Sequence, residues 1–206
     1  MTVRHARQDE LLALRKVLVR AFLDDPPMSW ILRGGEAKER AFDTFFQVAV
    51  ERLTFPFGEV YCDDQLRGVS LWTPPGKWRL RWYQQVRDLP SWGRAIGWTR
   101  LAFIARATAA LTAAHPPTPH YYLLAIAVDP QHRGQGLARQ LIEPALARCD
   151  AEHLPAYLEA SRAALVPLYE RHGFRVQQEV RLGDDGPPMF AMWRAARALG
   201  TGGTGV

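Results

Sequence analysis

Apolar residues recur at helical spacing soon after the start of the chain. Leu11, Leu14, Leu18 and Phe22 fall on one stripe behind Asp9, a capping residue, which predicts a helix that stops before Asp25-Pro26-Pro27. Residues 2–7 ahead of it read as a first strand. A second amphipathic helix is predicted over 36–53, with Phe42, Phe45, Phe46 and Ala49 on or near one face, ended by Pro56 and Gly58. Two short β segments, 59–63 and 68–73, flank the polar turn Asp63-Asp64-Gln65 and read as a hairpin. From Trp78 to Ala114 the tendency is helical but broken at Pro90, Gly93 and Gly97. The least polar stretch, residues 95–114, carries Arg100, Arg106 and many Ala and Thr, so it reads as a buried or half-buried helix and not as a membrane span.

His115-Pro116-Pro117-Thr118-Pro119 is a linker. The continuous apolar run 120–128 that follows suits a strand buried on both faces. A polar glycine-containing loop then leads to a helix over 137–149, kinked by Pro144. A strand over 156–160, a helix over 163–172 and two strands over 174–181 and 189–194 complete the order. The pattern is mixed α/β in one domain over 1–200, with a glycine-rich tail, 201–206, expected to be disordered.

Composition narrows the classes. The chain has 206 residues, 48% of them hydrophobic, enough for a core without disulfide or metal support. Cys62 and Cys149 lie far apart with no CxxC or Cys/His spacing, and the six histidines show no HxxxH pairing, so no metal is expected and most histidines read as solvated. No secretory leader is evident, and a reducing cytoplasm is the expected location. The formal charge of +5 rests on 26 basic residues, of which only Lys16, Lys38 and Lys77 are lysines. Such a field favours anionic ligands. The arginines are scattered and not interleaved with aromatics on one stripe, which argues against nucleic acid as a partner.

The most informative segment is Val128-Asp129-Pro130-Gln131-His132-Arg133-Gly134-Gln135-Gly136-Leu137-Ala138, a strand end, a glycine loop and a helix start. A helix N-terminus carries unpaired N–H groups and about half a positive charge, and glycines let the backbone approach a diphosphate. The loop has neither the GK[ST] ending of a P-loop nor the GxGxxG spacing of a dinucleotide fold. It does match a (R/Q)xxGx(G/A) pyrophosphate loop, and Leu168-Tyr169-Glu170-Arg171-His172-Gly173-Phe174 matches an LYxxxGF segment in the expected order and distance. On these motifs the sequence resembles the GNAT superfamily of acyl-CoA-dependent N-acetyltransferases. Leu158-Glu159-Ala160-Ser161, Val166-Pro167 and Val69-Ser70-Leu71-Trp72-Thr73-Pro74-Pro75 look most like the branch containing puromycin N-acetyltransferase. The match is strong over 121–194 and thin before residue 59.

The resemblance implies a mixed, mostly antiparallel sheet of about six to seven strands flanked by helices, splayed between the strands at 120–128 and 156–160. It implies acetyl-CoA as co-substrate, its diphosphate on the amides of Arg133, Gly134, Gln135, Gly136, Leu137 and Ala138. The pantetheine arm would pair with the backbone of Ile126, Ala127 and Val128 as an added strand. Tyr169 stands where the family keeps its general acid, and an ordinary pKa near 10 suits donation to a thiolate. An Asn usual between the fifth strand and this tyrosine is replaced by the run Arg162-Ala163-Ala164-Leu165. Glu159, at a strand end facing the cleft, reads either as base for the incoming ammonium or as partner of an arginine. No Ser/His/Asp or Cys/His set suggests a covalent acyl-enzyme, which favours direct attack in a ternary complex.

Five of the seven tryptophans fall over 72–98 and read mainly as core beneath a long helix. Trp72 is the exception, its neighbourhood matching the acceptor side of the resembled branch. With Trp30, Phe57, Trp78 and Trp82 it would line an aromatic pocket, with Asp24, Asp25 and Glu59 attracting an ammonium. The expected partner is a small primary amine, with no nucleic acid or membrane and a monomeric or homodimeric state. The competing readings are a protein or peptide N-acetyltransferase and a non-catalytic CoA-binding sensing module.

Overall fold

The hairpin expected over 59–73 forms as β2 (Val60–Asp63) and β3 (Gly68–Thr73), the centre of one side of a seven-stranded sheet in a computed structural model that describes residues 2–32, 38–79, 90 and 98–197. The other strands are β1 (Val3–His5), β4 (Tyr121–Val128), β5 (Ala156–Ala160), β6 (Arg175–Arg181) and β7 (Pro188–Arg194). Their spatial order is β1-β2-β3-β4-β5-β7-β6, and only the β4–β5 pair is parallel. The expected mixed, mostly antiparallel sheet is therefore present. The tail 201–206, Trp82, Trp92, Gly93 and Gly97 lie outside the described residues.

Six α-helices are described: α1 (Leu11–Phe22), α2 (Pro26–Ile31), α3 (Lys38–Val48), α4 (Trp98–Ala114), α5 (Leu137–Ala151) and α6 (Val166–Glu170). On one face α1, α2 and α3 bury Leu14, Leu18, Phe42 and Phe46 against Val69 and Leu71. Each such side chain contributes roughly 2 kcal/mol by leaving water. On the opposite face α5 and α6 pack Ile142, Cys149 and Tyr169 against Trp72, Tyr121 and Leu158. The residues Ala110, Leu111 and Ala114 of α4 cover Tyr157, Val180 and Ala191, at the β5–β7 end.

One element differs from the sequence reading. Asp25-Pro26-Pro27 does not merely stop α1; it starts α2. The Asp25 carboxylate accepts from the Met28 amide at 3.1 Å, and the prolines occupy first-turn positions where a missing N–H costs nothing. Farther on, the helix predicted over 36–53 changes hand-off at Val48, its last turn continuing as a π-helical segment, Ala49–Thr54.

The apolar run of β4 is explained by its register. Leu71 of β3 faces Ala125, yet Trp72 faces Leu123, so Leu124 is an extra residue in the strand. Alternation inverts there. Tyr121 and Leu123 join the α5 layer, whereas Ala125 and Ala127 join the α1–α3 layer. A strict polar alternation would have put charge into one of the two cores. The strand is not buried on both faces throughout, its burial alternating along its length. Pairing with β5 covers only Tyr121, Tyr122 and Leu123, ending where the bulge begins. Beyond it the β5-facing main-chain groups of β4 have no strand beside them, which opens the sheet.

Candidate active site

The open edge of β4 and the start of α5 belong to one cleft of about 1500 Å³. Gly136 is the residue before α5, at φ +76°, and Gly134 sits at φ +79°. Both need the left-handed region that glycine adopts freely, and a Cβ built on either meets nothing within 4 Å, so the space over the loop is open. The first-turn N–H groups of α5 have no intrahelical acceptor and face this space with the positive end of a fifteen-residue helix behind them. Ile126, Ala127, Val128, Arg133, Gly134, Gly136, Leu137 and Ala138 line the cleft; Gln135 does not. These features fit a diphosphate: main-chain donors, absent side chains and a cationic rim.

The loop is braced from α1. Arg133 donates to the Ala21 carbonyl at 3.2 Å, and Arg20 binds Asp129 at 2.5 Å. Asp129 in turn caps the Gln131 amide at 3.1 Å. The Arg20 guanidinium holds the Asp129 carboxyl below its ordinary range.

Tyr169 lines the same cleft from α6 and is 5% exposed. The turn behind it is fixed three ways. Gly173, at φ +90°, ends the helix; Phe174, fully buried, returns its amide to the Tyr169 carbonyl at 3.2 Å. Arg194 donates through Nε to the His172 carbonyl at 2.9 Å and through both Nη atoms to Asp150 at 2.7 and 2.8 Å. Burial pushes the Tyr169 phenol well above its ordinary value, and the nearby Asp25 charge adds to the rise. Asp25 itself is raised by burial, opposed by hydrogen bonds from Ser161 and the Met28 amide. Asp24, Asp25, Ser161 and Arg162 also line the cleft, so the α1–α2 junction contributes acid to its wall.

Glu159 reaches the cleft on the opposite face of the sheet from Tyr169. Tyr157 and Glu159 alternate with Leu158 along β5 and point toward α4. The Glu159 Oε2 accepts from Tyr122 at 2.7 Å, and Oε1 lies 3.8 Å from Nδ1 of His115. Among the described residues no arginine bonds it.

The aromatic residues singled out from sequence are dispersed. Trp72 is fully buried beside Tyr61 and Tyr121, in the core and not on the cleft wall. Trp30 packs against Phe103 at 4.8 Å between ring centroids, and Trp78 stacks on His115 at 3.6 Å. Phe57 is 36% exposed, with Lys77 over its ring. Trp98 is 62% exposed, unlike a core filler. Glu59 is wholly buried and bound to Arg148 and Tyr61, away from the cleft. Instead Met28, Phe45, Thr108, Leu111, Leu124 and Met189 line the α4 side. No sequence motif marked them, since each is an ordinary apolar position of its element. His115 and His120, at 8% and 4% exposure, are buried and not solvated. Cys62 and Cys149 are free and buried. Among the described residues no helix is long and apolar enough to cross a membrane, and no cluster of metal-ligating side chains occurs.

Comparison with known proteins follows the same lines. The family model for the acetyltransferase (GNAT) family matches residues 48–174. A Schizosaccharomyces pombe protein named as an uncharacterised N-acetyltransferase is 31% identical, over 82% of this chain and 72% of its own. A solved structure from Corynebacterium glutamicum, described as histone acetyltransferase HPA2 and related acetyltransferase, superposes with a TM-score of 0.74 at 26% identity, covering 95% of this chain and 96% of the other. The polyamine N-acetyltransferase of Drosophila melanogaster, which forms N-acetylagmatine, shares the fold at a TM-score of 0.61 and 16% identity, covering 94% and 99%.

Proposed function

This chain belongs to the acetyltransferase (GNAT) family, and on that footing we propose that residues 1–200 transfer an acetyl group from acetyl-CoA to the primary amine of a small molecule by direct attack. The observation that carries the reading is the continuity of one cleft from the α5 N-terminus, along the open edge of β4, to Tyr169 on one side and Glu159 on the other. Acetyl-CoA supplies the acyl group in activated form, as a thioester.

The chain's own residues divide the work. Amides from Arg133 to Ala138 hold the diphosphate, with Arg133 as added charge. The unpaired edge at Ile126, Ala127 and Val128 orients the pantetheine arm, and an N–H of that edge binds the thioester carbonyl as negative charge builds on its oxygen. Glu159 takes a proton from the incoming ammonium. Tyr169, on the cleft wall, would donate its O–H to the departing thiolate. Because burial raises its pKa, it stays protonated and available as a hydrogen-bond donor to the developing thiolate.

For the acceptor, the apolar wall of Met28, Phe45, Leu111 and Met189 beside the Glu159 carboxylate favours an amine on an apolar body. A thiol-release assay with acetyl-CoA over panels of amines, puromycin included, and peptides tests this. Turnover on apolar primary amines is expected. Turnover on peptides alone replaces the acceptor with a protein, and binding of CoA without any turnover makes the chain a sensor.

A further inference from the structure

The two buried histidines stand directly behind Glu159. His115 follows the last turn of α4, its amide donating to the Leu111 carbonyl at 3.0 Å. Its Nε2 lies 3.0 Å from Nε2 of His120, whose Nδ1 lies 2.6 Å from the Thr118 carbonyl. A carbonyl can only accept, so Nδ1 of His120 carries hydrogen and its Nε2 is a lone pair. That lone pair requires hydrogen on Nε2 of His115. The remaining His115 nitrogen, Nδ1, is then a lone pair aimed at Glu159 Oε1, 3.8 Å away. Both hydrogen bonds thus run in one direction, and the only open acceptor of the chain faces the carboxylate.

Aromatic rings enclose the pair. Trp78 stacks on His115, Tyr157 meets both imidazoles edge-on at 4.8 and 5.4 Å, and Trp193 of β7 meets His120 at 5.5 Å. Among the described residues the charged and titratable groups facing the pair are Glu159 and Tyr157 from β5, Tyr122 from β4, and Arg79, whose guanidinium lies over Trp78 at 4.2 Å. The α4 side contributes Leu111 and Ala114, and the described charged residue of that helix, Arg106, is exposed. Two polar rings buried without a charge to handle would be a costly way to fill this space.

We propose that His115 and His120 form a buried proton relay that draws off the proton Glu159 removes from the acceptor amine, an inference that rests on the acetyl-transfer reading. The ammonium N–H bond breaks as an O–H bond forms on Glu159. That O–H passes its proton to Nδ1 of His115 after the ring closes the gap by about 1 Å. His115 then releases its Nε2 proton to Nε2 of His120, leaving the positive charge on His120. The relay resets by the reverse route once the products leave, His120 returning the proton through His115 to Glu159 and so to cleft water, while its own Nδ1 hydrogen stays on the Thr118 carbonyl. Burial lowers the His120 pKa, which keeps the resting ring neutral and makes the charge it receives short-lived. These histidines act through Glu159 and position its proton; they do not touch the substrate.

His115→Gln keeps a donor toward His120 and much of the stacking surface. With an accepted amine, it should lower kcat by about tenfold to a hundredfold, leave the KM for acetyl-CoA unchanged, and displace the low-pH fall of kcat/KM. An unchanged pH profile in an active protein overturns the relay and leaves the acetyl-transfer reading standing. If the wild type acetylates no amine, that reading fails by itself. The relay is then read in the protein alone by imidazole nitrogen NMR. Hydrogen on Nδ1 of His120 and Nε2 of His115, with coupled titration, supports it; two independently titrating rings overturn it.

Discussion

Tyr169 and Gly136 are single residues whose places on the cleft were visible in the sequence, because each sits in a motif whose spacing encodes a local geometry. Gly173 four residues beyond Tyr169 ends α6 in the left-handed region, which is what aims the phenol into the cleft. Tyr169→Phe should reduce turnover about a hundredfold while calorimetry finds CoA binding unaltered; full activity would remove the acid from the mechanism. Gly136→Ala confines an L residue to φ +76°, costing about 1 kcal/mol, or about 3 °C in thermal midpoint. Its Cβ meets no protein atom, so a loss of CoA affinity beyond that cost, measured calorimetrically, reports ligand crowding. Trp72 was misplaced for a physical reason: a tryptophan at a strand end beside prolines looks the same in sequence whether its ring turns to the α5 core or to a cleft. The register shift made by the inserted Leu124 decides that, and it is tertiary.

At the level of elements, strands β2, β3 and β5 to β7 were legible to within a residue or so from alternation and turn residues. The α2 helix was not, since Pro-Pro signals both an end and a beginning, and only the Asp25 cap distinguishes them. Buried ion pairs were equally invisible. Arg194, 3% exposed, joins β7 to α5 through Asp150 and to the α6–β6 turn through the His172 carbonyl. Asp150→Asn leaves that guanidinium buried without its counter-charge and should cost about 3 kcal/mol. The expected fall in thermal midpoint is about 10 °C, followed by differential scanning calorimetry. A fall below 2 °C would mean the pair is strained or wet. Because the same arginine steadies the turn behind Tyr169, activity at temperatures below the transition should fall as well.

For the molecule as a whole, pH is the natural probe. Glu10 takes hydrogen bonds from Arg4 at 2.7 and 2.8 Å and from the Arg7 amide, and the Arg4 contact holds its carboxyl down to about 2 from an ordinary 4.5. A depressed carboxylate stabilises the fold fully above its unfolded value. That contribution fades as pH falls from about 4.5 toward about 2. Urea titrations across this window should show Glu10→Gln less stable than wild type at pH 7 and the two curves converging near pH 2; parallel curves would assign the ion pair no linkage. The overall architecture and the glycine-loop side of the cleft were readable because they depend on backbone geometry that glycines, prolines and periodicity announce. The α4 side was not, because it is assembled from unremarkable positions on α2, α3, α4 and β7. The extra residue in β4 carries a last consequence. Deleting or adding one amino acid near it would not merely trim a strand; every side chain downstream would swap layers, methyl groups meeting ligand and ligand-facing atoms meeting core. Indels in this lineage should therefore collect in the Asp64–Arg67 turn and spare 121–128, and a designer building libraries on the scaffold should randomise identity there but never length.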